Sequence, residues 1–249
     1  MGKNILIIGS NGLVGKSLVS YLNKRGHNVF KIDIKQKKKE KNFFKCDVTK
    51  ESSVAKIIKK ITKKTSIDVV FNAASVNPKT QKIKKFKFSD YNLNKWKNNL
   101  EVDLIGSFNI SKHILKHYEK KNSGKIINIS SIYGFLGPDQ DIYFNQSREK
   151  YTGMKPLEYS VAKAGVIGFT KALASFYKNS KIEVFCLVLG GIEEGQDTFF
   201  KKKYSKKTIS GRMALKGEYN TIIDFLITNN TSYLTGSSID LSAGALSIL

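Results

Sequence analysis

Ile5-Leu6-Ile7-Ile8-Gly9-Ser10-Asn11-Gly12-Leu13-Val14-Gly15 is the stretch on which the reading of this chain turns. Its apolar run is short and continuous, as expected of a strand buried on both faces. The run stops at Gly9, and Gly12 and Gly15 follow at every third position. An amphipathic helical pattern comes next in Leu18, Val19 and Leu22, ending near Arg25-Gly26. Asn28-Val29-Phe30-Lys31-Ile32 reads as a second strand closing on Asp33. Strand, glycine turn, helix, strand and acid form the opening unit of a dinucleotide-binding fold. Glycines let the backbone approach a pyrophosphate, and the helix start offers unpaired N–H groups to an anion. Asp33 would accept hydrogen bonds from both ribose hydroxyls and repel a 2′-phosphate, so NAD is favoured over NADP. Lys35 and the lysines after it weaken that preference.

Further alternation follows downstream. Asn42 to Val48 reads as a short third strand, with Asp47 and Val48 at its end, where Asp47 could meet an adenine amino group. Val54, Ile57, Ile58 and Ile61 give Ser52 to Thr62 a helical period. Asp68 to Ala74 is a fourth strand opening into Asn72-Ala73-Ala74, whose small residues would let the chain pass close to a cofactor. Residues 78–92 form a basic, poorly periodic connection, and the next helix carries Trp96, Leu100, Leu104 and Phe108, with Trp96 read as core. Lys125 to Ile129 is a fifth strand with Ser130-Ser131 at its carboxyl end, the edge at which open parallel sheets hold ligands. A serine there suits a carbonyl donor or a turn cap equally. Ile182 to Leu189 is a sixth strand ending in Gly190-Gly191, followed by a charged stretch from Ile192 to Gly211. Arg212 to Ala214 and Tyr219 to Ile227 read as helical, and Thr235 to Leu241 as a short seventh strand. The expectation is an α/β fold: one Rossmann-like domain over residues 1–249, a doubly wound parallel sheet of about seven strands with helices on both faces.

Chemistry enters at Leu157-Glu158-Tyr159-Ser160-Val161-Ala162-Lys163. Positions i and i+4 share a helix face, so Tyr159 and Lys163 can reach one pocket. A free tyrosine ionises near pH ~10, and an adjacent ammonium favours the phenolate, which makes the phenol a usable acid or base. Alone the pair is common on helix surfaces; its position after the upstream features gives it weight.

Composition bounds the rest. The 249 residues, 41% hydrophobic, can bury a sizeable core, and the three prolines are too scattered to mark a linker. No apolar run reaches membrane-span length, and the first residues are too short for a signal peptide and lack the myristoylation pattern. Cys46 and Cys186 lie far apart in or beside strand-like runs, which suits free buried thiols in a cytoplasmic protein. The formal charge of +23 comes from lysines spread along the whole chain, without a base-reading module. Such a field draws in anionic small molecules and argues against specific nucleic-acid binding.

The ordered set of Gly9/Gly12/Gly15, Asp47-Val48, Asn72-Ala73-Ala74, Ile129-Ser130-Ser131, Tyr159-x-x-x-Lys163 and Thr235-Gly236 resembles the short-chain dehydrogenase/reductase family over essentially the full length. The resemblance implies that Tyr159 exchanges a proton with the substrate oxygen and Lys163 holds the nicotinamide ribose and favours the phenolate. Ser131 would hydrogen-bond the substrate oxygen. Gly9, Ser10, Asn11, Gly12, Leu13, Val14, Gly15, Asp33, Asp47, Val48, Asn72, Ala73, Ala74, Gly190 and Ile192 would surround the dinucleotide. No metal is implied. A homodimer or homotetramer packed through the long helices around Leu104 and Val166 is.

Several positions depart from the family. The glycine spacing resembles its extended, sugar-nucleotide branch, whereas length and closing segment resemble the classical branch. Ala74 stands where glycine is usual, and Leu189 where proline is usual. Asp103 replaces the asparagine that completes a catalytic tetrad by holding, through its backbone carbonyl, a water linked to lysine. Aspartate either preserves that relay or blunts the effect of Lys163 on Tyr159. The interval from Ser131 to Tyr159 is also longer than usual, with an insertion at about 137–156 and a substrate loop at about 191–212. Tyr133, Tyr143, Gln146 and Arg148 are expected to contact a sugar or its phosphate, and this part of the chain resembles bacterial surface-sugar oxidoreductases of the flagellin-modification type. Reduction of a 3-oxoacyl thioester is the rival activity, disfavoured by the polar Glu193, Glu194, Gln196 and Asp197. A cofactor-binding regulator without turnover is a third reading, and retention of Ser131, Tyr159 and Lys163 opposes it.

Overall fold

The computed structural model describes residues 2–36, 40–76, 87–143 and 154–247. Its strands are β1 (Asn4–Ile8), β2 (Asn28–Asp33), β3 (Phe43–Lys45), β4 (Val69–Asn72), β5 (Gly124–Ser131), β6 (Ile182–Leu189) and β7 (Ser238–Leu241). They form one sheet in the order β3-β2-β1-β4-β5-β6-β7 with parallel pairing throughout. The chain winds outward from β1 first to one side and then to the other, so the crevice beyond β1 and β4 is the switch point where such sheets bind ligands.

Alternation along the strands separates the two cores. Leu6, Ile8, Val70, Ile126 and Val184 face α2 (Glu51–Thr62) and α4 (Gly106–Lys121) through Val54, Ile58, Ile110 and Ile114. Ile5, Ile7, Phe71, Ile127, Phe185 and Leu187 face α1 (Leu13–Lys24) and α7 (Asn220–Thr228) through Leu18, Leu22, Ile223 and Leu226. Both faces are therefore covered, which is why the central strands read as continuous apolar runs. Cys46 and Cys186 are buried and free, as expected.

Three expectations change. Arg212 to Ala214 is not helical: Ala214 bridges to Ile192 and its N–H bonds the Gly191 carbonyl at 2.9 Å, so this segment straps the loop after β6. The charged stretch before it holds a helix, α6 (Thr198–Ser205), capped by Asp197, which accepts from Phe200 N at 2.8 Å. Trp96, on α3 (Leu93–Leu100), is only half-buried and meets Tyr91 edge-on at 6.0 Å, so it is not core. Val166, on α5 (Leu157–Phe176), is buried, and the partly buried Leu104 packs with it against Cys186 and Val188. Exposed apolar residues of the same helical layer include Ile105, Phe108 and Val161.

Candidate active site

The glycine turn is shaped by close backbone approaches. Gly9 has φ +77°, in the left-handed region, and a Cβ there would stand 2.7 Å from Ala74 Cα. A side chain at Gly15 would collide with the Gly9 carbonyl oxygen, so α1 starts directly beneath the turn. Ser10 is buried, and its Oγ has no hydrogen-bond partner. An orphaned hydroxyl beside a helix N-terminus with uncapped N–H groups fits a pyrophosphate. Leu13 and Val14 line a small cavity with Ile192, which brings the loops after β1 and β6 together.

Asp33 is fixed at the end of β2. Its Oδ2 accepts from Asn11 N at 2.8 Å and its Oδ1 from Lys35 N at 3.1 Å, which leaves lone pairs for a ribose. Asp47 Oδ1 accepts from both Thr49 N and Thr49 Oγ1 at 3.0 and 2.7 Å, a turn that tightens the exit from β3. Val48 is buried and its carbonyl accepts from Asn109 Nδ2 at 2.9 Å. Asn72 donates to Asn128 Oδ1 at 2.8 Å, and Asn128 donates to Thr170 Oγ1 at 2.9 Å. This buried polar chain ties β4 through β5 to α5, and its last two members escaped the sequence reading because each sits inside an apolar pattern.

Tyr159 and Lys163 lie on the first two turns of α5. Lys163 Nζ stands 5.6 Å from the Tyr159 ring centroid and donates to the Ile129 carbonyl at 3.2 Å. The two serines divide their work. Ser130 Oγ donates to the Lys163 carbonyl at 2.8 Å, anchoring the helix on the sheet. Ser131 ends β5 and its Oγ accepts only a long bond, 3.3 Å, from Tyr133 N.

Asp103 sets its carboxylate against the lysine at the tetrad position. It lies in a π-helical turn, Glu101–Ile105, between α3 and α4. Its carboxylate, fully shielded from water, sits 2.8 Å from Lys163 Nζ and accepts from Ser75 Oγ at 2.6 Å and Val76 N at 2.9 Å. The Asp103 carbonyl accepts from Ser107 Oγ at 2.7 Å. The side chain therefore pairs directly with the lysine. Burial alone would lower the Lys163 pKa, but Asp103 and Tyr159 outweigh it and leave it raised.

A wall of tyrosines stands beside this centre. Tyr133 meets Tyr159 edge-on at 6.5 Å, and its hydroxyl lies 3.3 Å from that of Tyr143. Burial pushes the Tyr143 phenol up to about 12 and raises Tyr133 further, so both remain neutral donors. Tyr143 packs on Phe200 of α6 at 5.4 Å, and Lys207 pairs with Asp139 at 2.6 Å, so the insertion leans on the substrate loop. Gln146 and Arg148 lie outside the described residues. In that loop Tyr204 Oη accepts from Gly191 N, and just before α7 Tyr219 Oη donates to the Gly190 carbonyl at 3.0 Å. The sequence reading missed both tyrosines, and it missed Lys155, whose Nζ stands 3.8 Å from the Tyr159 ring centroid.

Comparison with known proteins agrees with this arrangement. The chain is 28% identical over 257 residues to 3-oxoacyl-acyl-carrier-protein reductase FabG of Buchnera aphidicola, covering 97% of this chain and 96% of that one. It is equally 28% identical, over 256 residues and 97% of each chain, to post-translational flagellin modification protein A of Campylobacter coli. Among solved structures, a short chain dehydrogenase from Leptospira borgpetersenii with bound NAD+ superposes with a TM-score of 0.84 at 26% identity, covering 98% of this chain and 93% of that one. The family described as short chain dehydrogenase matches residues 3–205. With that match, this sheet and this helix pair, the chain belongs to the short-chain dehydrogenase family and is an NAD(P)-dependent oxidoreductase.

Proposed function

We propose that this enzyme interconverts a carbonyl and a carbinol, with a 3-oxoacyl thioester as its substrate class. The observation that carries the reaction is the Tyr159–Lys163 pair held at the carboxyl edge of the sheet, next to the end of β5. A reduced nicotinamide, when bound, would supply the hydride for the carbonyl carbon. Tyr159 Oη gives its proton to the carbonyl oxygen, and Ser131 Oγ donates a hydrogen bond to the same oxygen, stabilising its developing charge. Lys163 uses two N–H groups on Asp103 and the Ile129 carbonyl, which leaves one for a ribose hydroxyl.

The thioester gains support where the sequence seemed to oppose it. Glu193 is paired with Lys201 at 2.5 Å and Glu194 with Lys216 at 3.1 Å. Gln196 bonds the Glu194 N–H and the Ile192 carbonyl, and Asp197 caps α6. These polar groups hold the loop to itself, so they do not count against an apolar acyl chain. The likeness to the FabG proteins points the same way, and the +23 charge suits an acidic carrier. A sugar is the second reading, favoured by the Tyr133–Tyr143 hydroxyl pair and by the likeness to flagellin modification protein A. Steady-state oxidation of NADH and NADPH against acetoacetyl-CoA and a panel of phosphorylated and nucleotide-linked keto sugars separates the two. A kcat/KM at least tenfold higher for acetoacetyl-CoA supports the first, and the reverse ranking selects the second.

Asp33, with both carboxylate oxygens fixed by backbone N–H groups, supports NAD over NADP. Ile105, Phe108 and Val161 are exposed apolar residues on adjoining helical elements, which supports a homodimer through the helices around Leu104 and Val166. No helix among the described residues is long and apolar enough to cross a membrane.

A further inference from the structure

Two consecutive glycines follow β6, and four separate elements grip their backbone. Gly190 N donates to the Leu241 carbonyl at the end of β7 at 3.1 Å, and the Gly190 carbonyl accepts from Tyr219 Oη at 3.0 Å. Gly191 N donates to Tyr204 Oη of α6, and the Gly191 carbonyl accepts from Ala214 N at 2.9 Å. A Gly-Gly pair has the widest backbone freedom of any dipeptide, so these four bonds set the shape of the turn.

The turn lies at the ligand edge of the sheet. Leu189 pairs in register with Ser131, so Gly190 and Gly191 come directly after the level of the serine that would hold the substrate oxygen. Ile192, the next residue, lines a cavity with Leu13 and Val14 at the start of α1, where a pyrophosphate would sit. A nicotinamide bridging those two places would abut this turn.

Of the four grips, Tyr204 alone comes from the helix of the substrate loop. It is 5% exposed, and burial raises its phenol while the Gly191 N–H opposes the shift, so it stays neutral. A Cβ on Gly191 would stand 2.8 Å from Tyr204 Cζ, so the glycine is what admits the ring. Phe200, one turn earlier, stacks on Tyr204 at 6.0 Å and meets Tyr143 at 5.4 Å. Tyr143 Oη lies 3.3 Å from Tyr133 Oη, and Tyr133 meets Tyr159 edge-on at 6.5 Å. Ring by ring, this wall runs from the Gly191 N–H to the catalytic phenol.

We propose that Tyr204 is a positioning residue for the nicotinamide, its hydroxyl pinning the Gly190–Gly191 turn only while α6 is seated against the site. The inference rests on the oxidoreductase reading and adds a coupling to it. A seated α6 fixes the turn in advance and favours the nicotinamide, and by reciprocity a bound nicotinamide holds α6 in place. The adenosine and pyrophosphate end of the dinucleotide lies outside this coupling.

The test compares NADH with ADP-ribose, which lacks the nicotinamide, on full-length wild type and Tyr204→Phe. The substitution removes the hydroxyl and keeps the ring. Calorimetry should show the Kd for NADH rising about three- to tenfold in Tyr204→Phe with the Kd for ADP-ribose unchanged. Hydrogen exchange of residues 198–205 should slow about threefold or more in wild type with NADH, and not with ADP-ribose. In Tyr204→Phe, saturated with NADH, that slowing should vanish. Equal weakening of both ligands, an unchanged NADH affinity, or α6 slowing that survives in Tyr204→Phe overturns the proposal and leaves the oxidoreductase reading standing. Wild type that binds neither ligand overturns that reading, and the proposal with it.

Discussion

Asp103 Oδ1 lies 2.8 Å from Lys163 Nζ, and the two form an ion pair with almost no access to water. Removing one member of such a pair leaves an uncompensated buried charge, typically costing about 3–5 kcal/mol. Asp103→Leu should lose stability of that order in urea unfolding. Asp103→Asn should lose less, because an amide oxygen still accepts from the ammonium. Equal losses in the two variants would show that packing around the π-helical turn, not charge, sets the cost.

Lys155 should work against the stability of the fold. Its pKa is depressed to about 8 in the native protein, from an ordinary 10.5. Between those values the unfolded chain binds more protons, so stability from this group rises with pH through that window. Below pH 8 the full penalty is present, on the order of 3 kcal/mol. Lys155→Met should therefore melt higher than wild type at pH 7, with the gain shrinking as pH rises toward 10. A gain that does not depend on pH would contradict this.

Gly9→Ala should abolish dinucleotide binding and destabilise the fold. The position combines φ +77° with a Cβ site 2.7 Å from Ala74 Cα, so strain and collision add to about 2 kcal/mol or more. Nicotinamide fluorescence and thermal melting measure the two effects separately. Retention of NADH affinity in this variant would contradict the assignment of the turn.

Phe108→Glu should lower the oligomeric state without disturbing the monomer, because Phe108 is 46% exposed. Light scattering after size-exclusion chromatography reads the change. Val166→Glu, by contrast, should unfold the chain, since Val166 is 2% exposed. A Phe108→Glu protein of unchanged mass would remove the proposed interface.

Much of this architecture could be read in advance because both faces of the sheet are covered. Ile5 to Ile8 and Ile182 to Leu189 could only be strands of a doubly covered sheet, and the turn after β1 announced its backbone approaches through its glycines. Tyr159 and Lys163 were legible because helical spacing converts directly into a shared face. Other features depended on tertiary contacts. Arg212 to Ala214 has helix-compatible residues, yet the backbone of Gly191 and Ile192 claims it as a strap. The helix α6 carries a strong start signal in Asp197, masked by the charge of the lysines after it. Lys155 had a signal too, Lys-x-x-x-Tyr-x-x-x-Lys around Tyr159. It went unread because the helix starts only after Pro156, so the shared-face rule does not reach back to it. The Gln140 grip on its backbone is what the tertiary structure adds.

The central claim is that Tyr159 Oη exchanges a proton with a substrate oxygen while hydride moves to the adjoining carbon. Its most direct test is deuterium transfer from 4-deuterated NADH and NADPH to acetoacetyl-CoA and to the keto-sugar panel, followed by mass spectrometry of the alcohol product. Wild type should place one deuterium on the new carbinol carbon, and Tyr159→Phe should bind NADH normally while transferring it about 10²–10⁴-fold more slowly. Equal transfer by the two proteins, or none by wild type to any carbonyl tested, would contradict it.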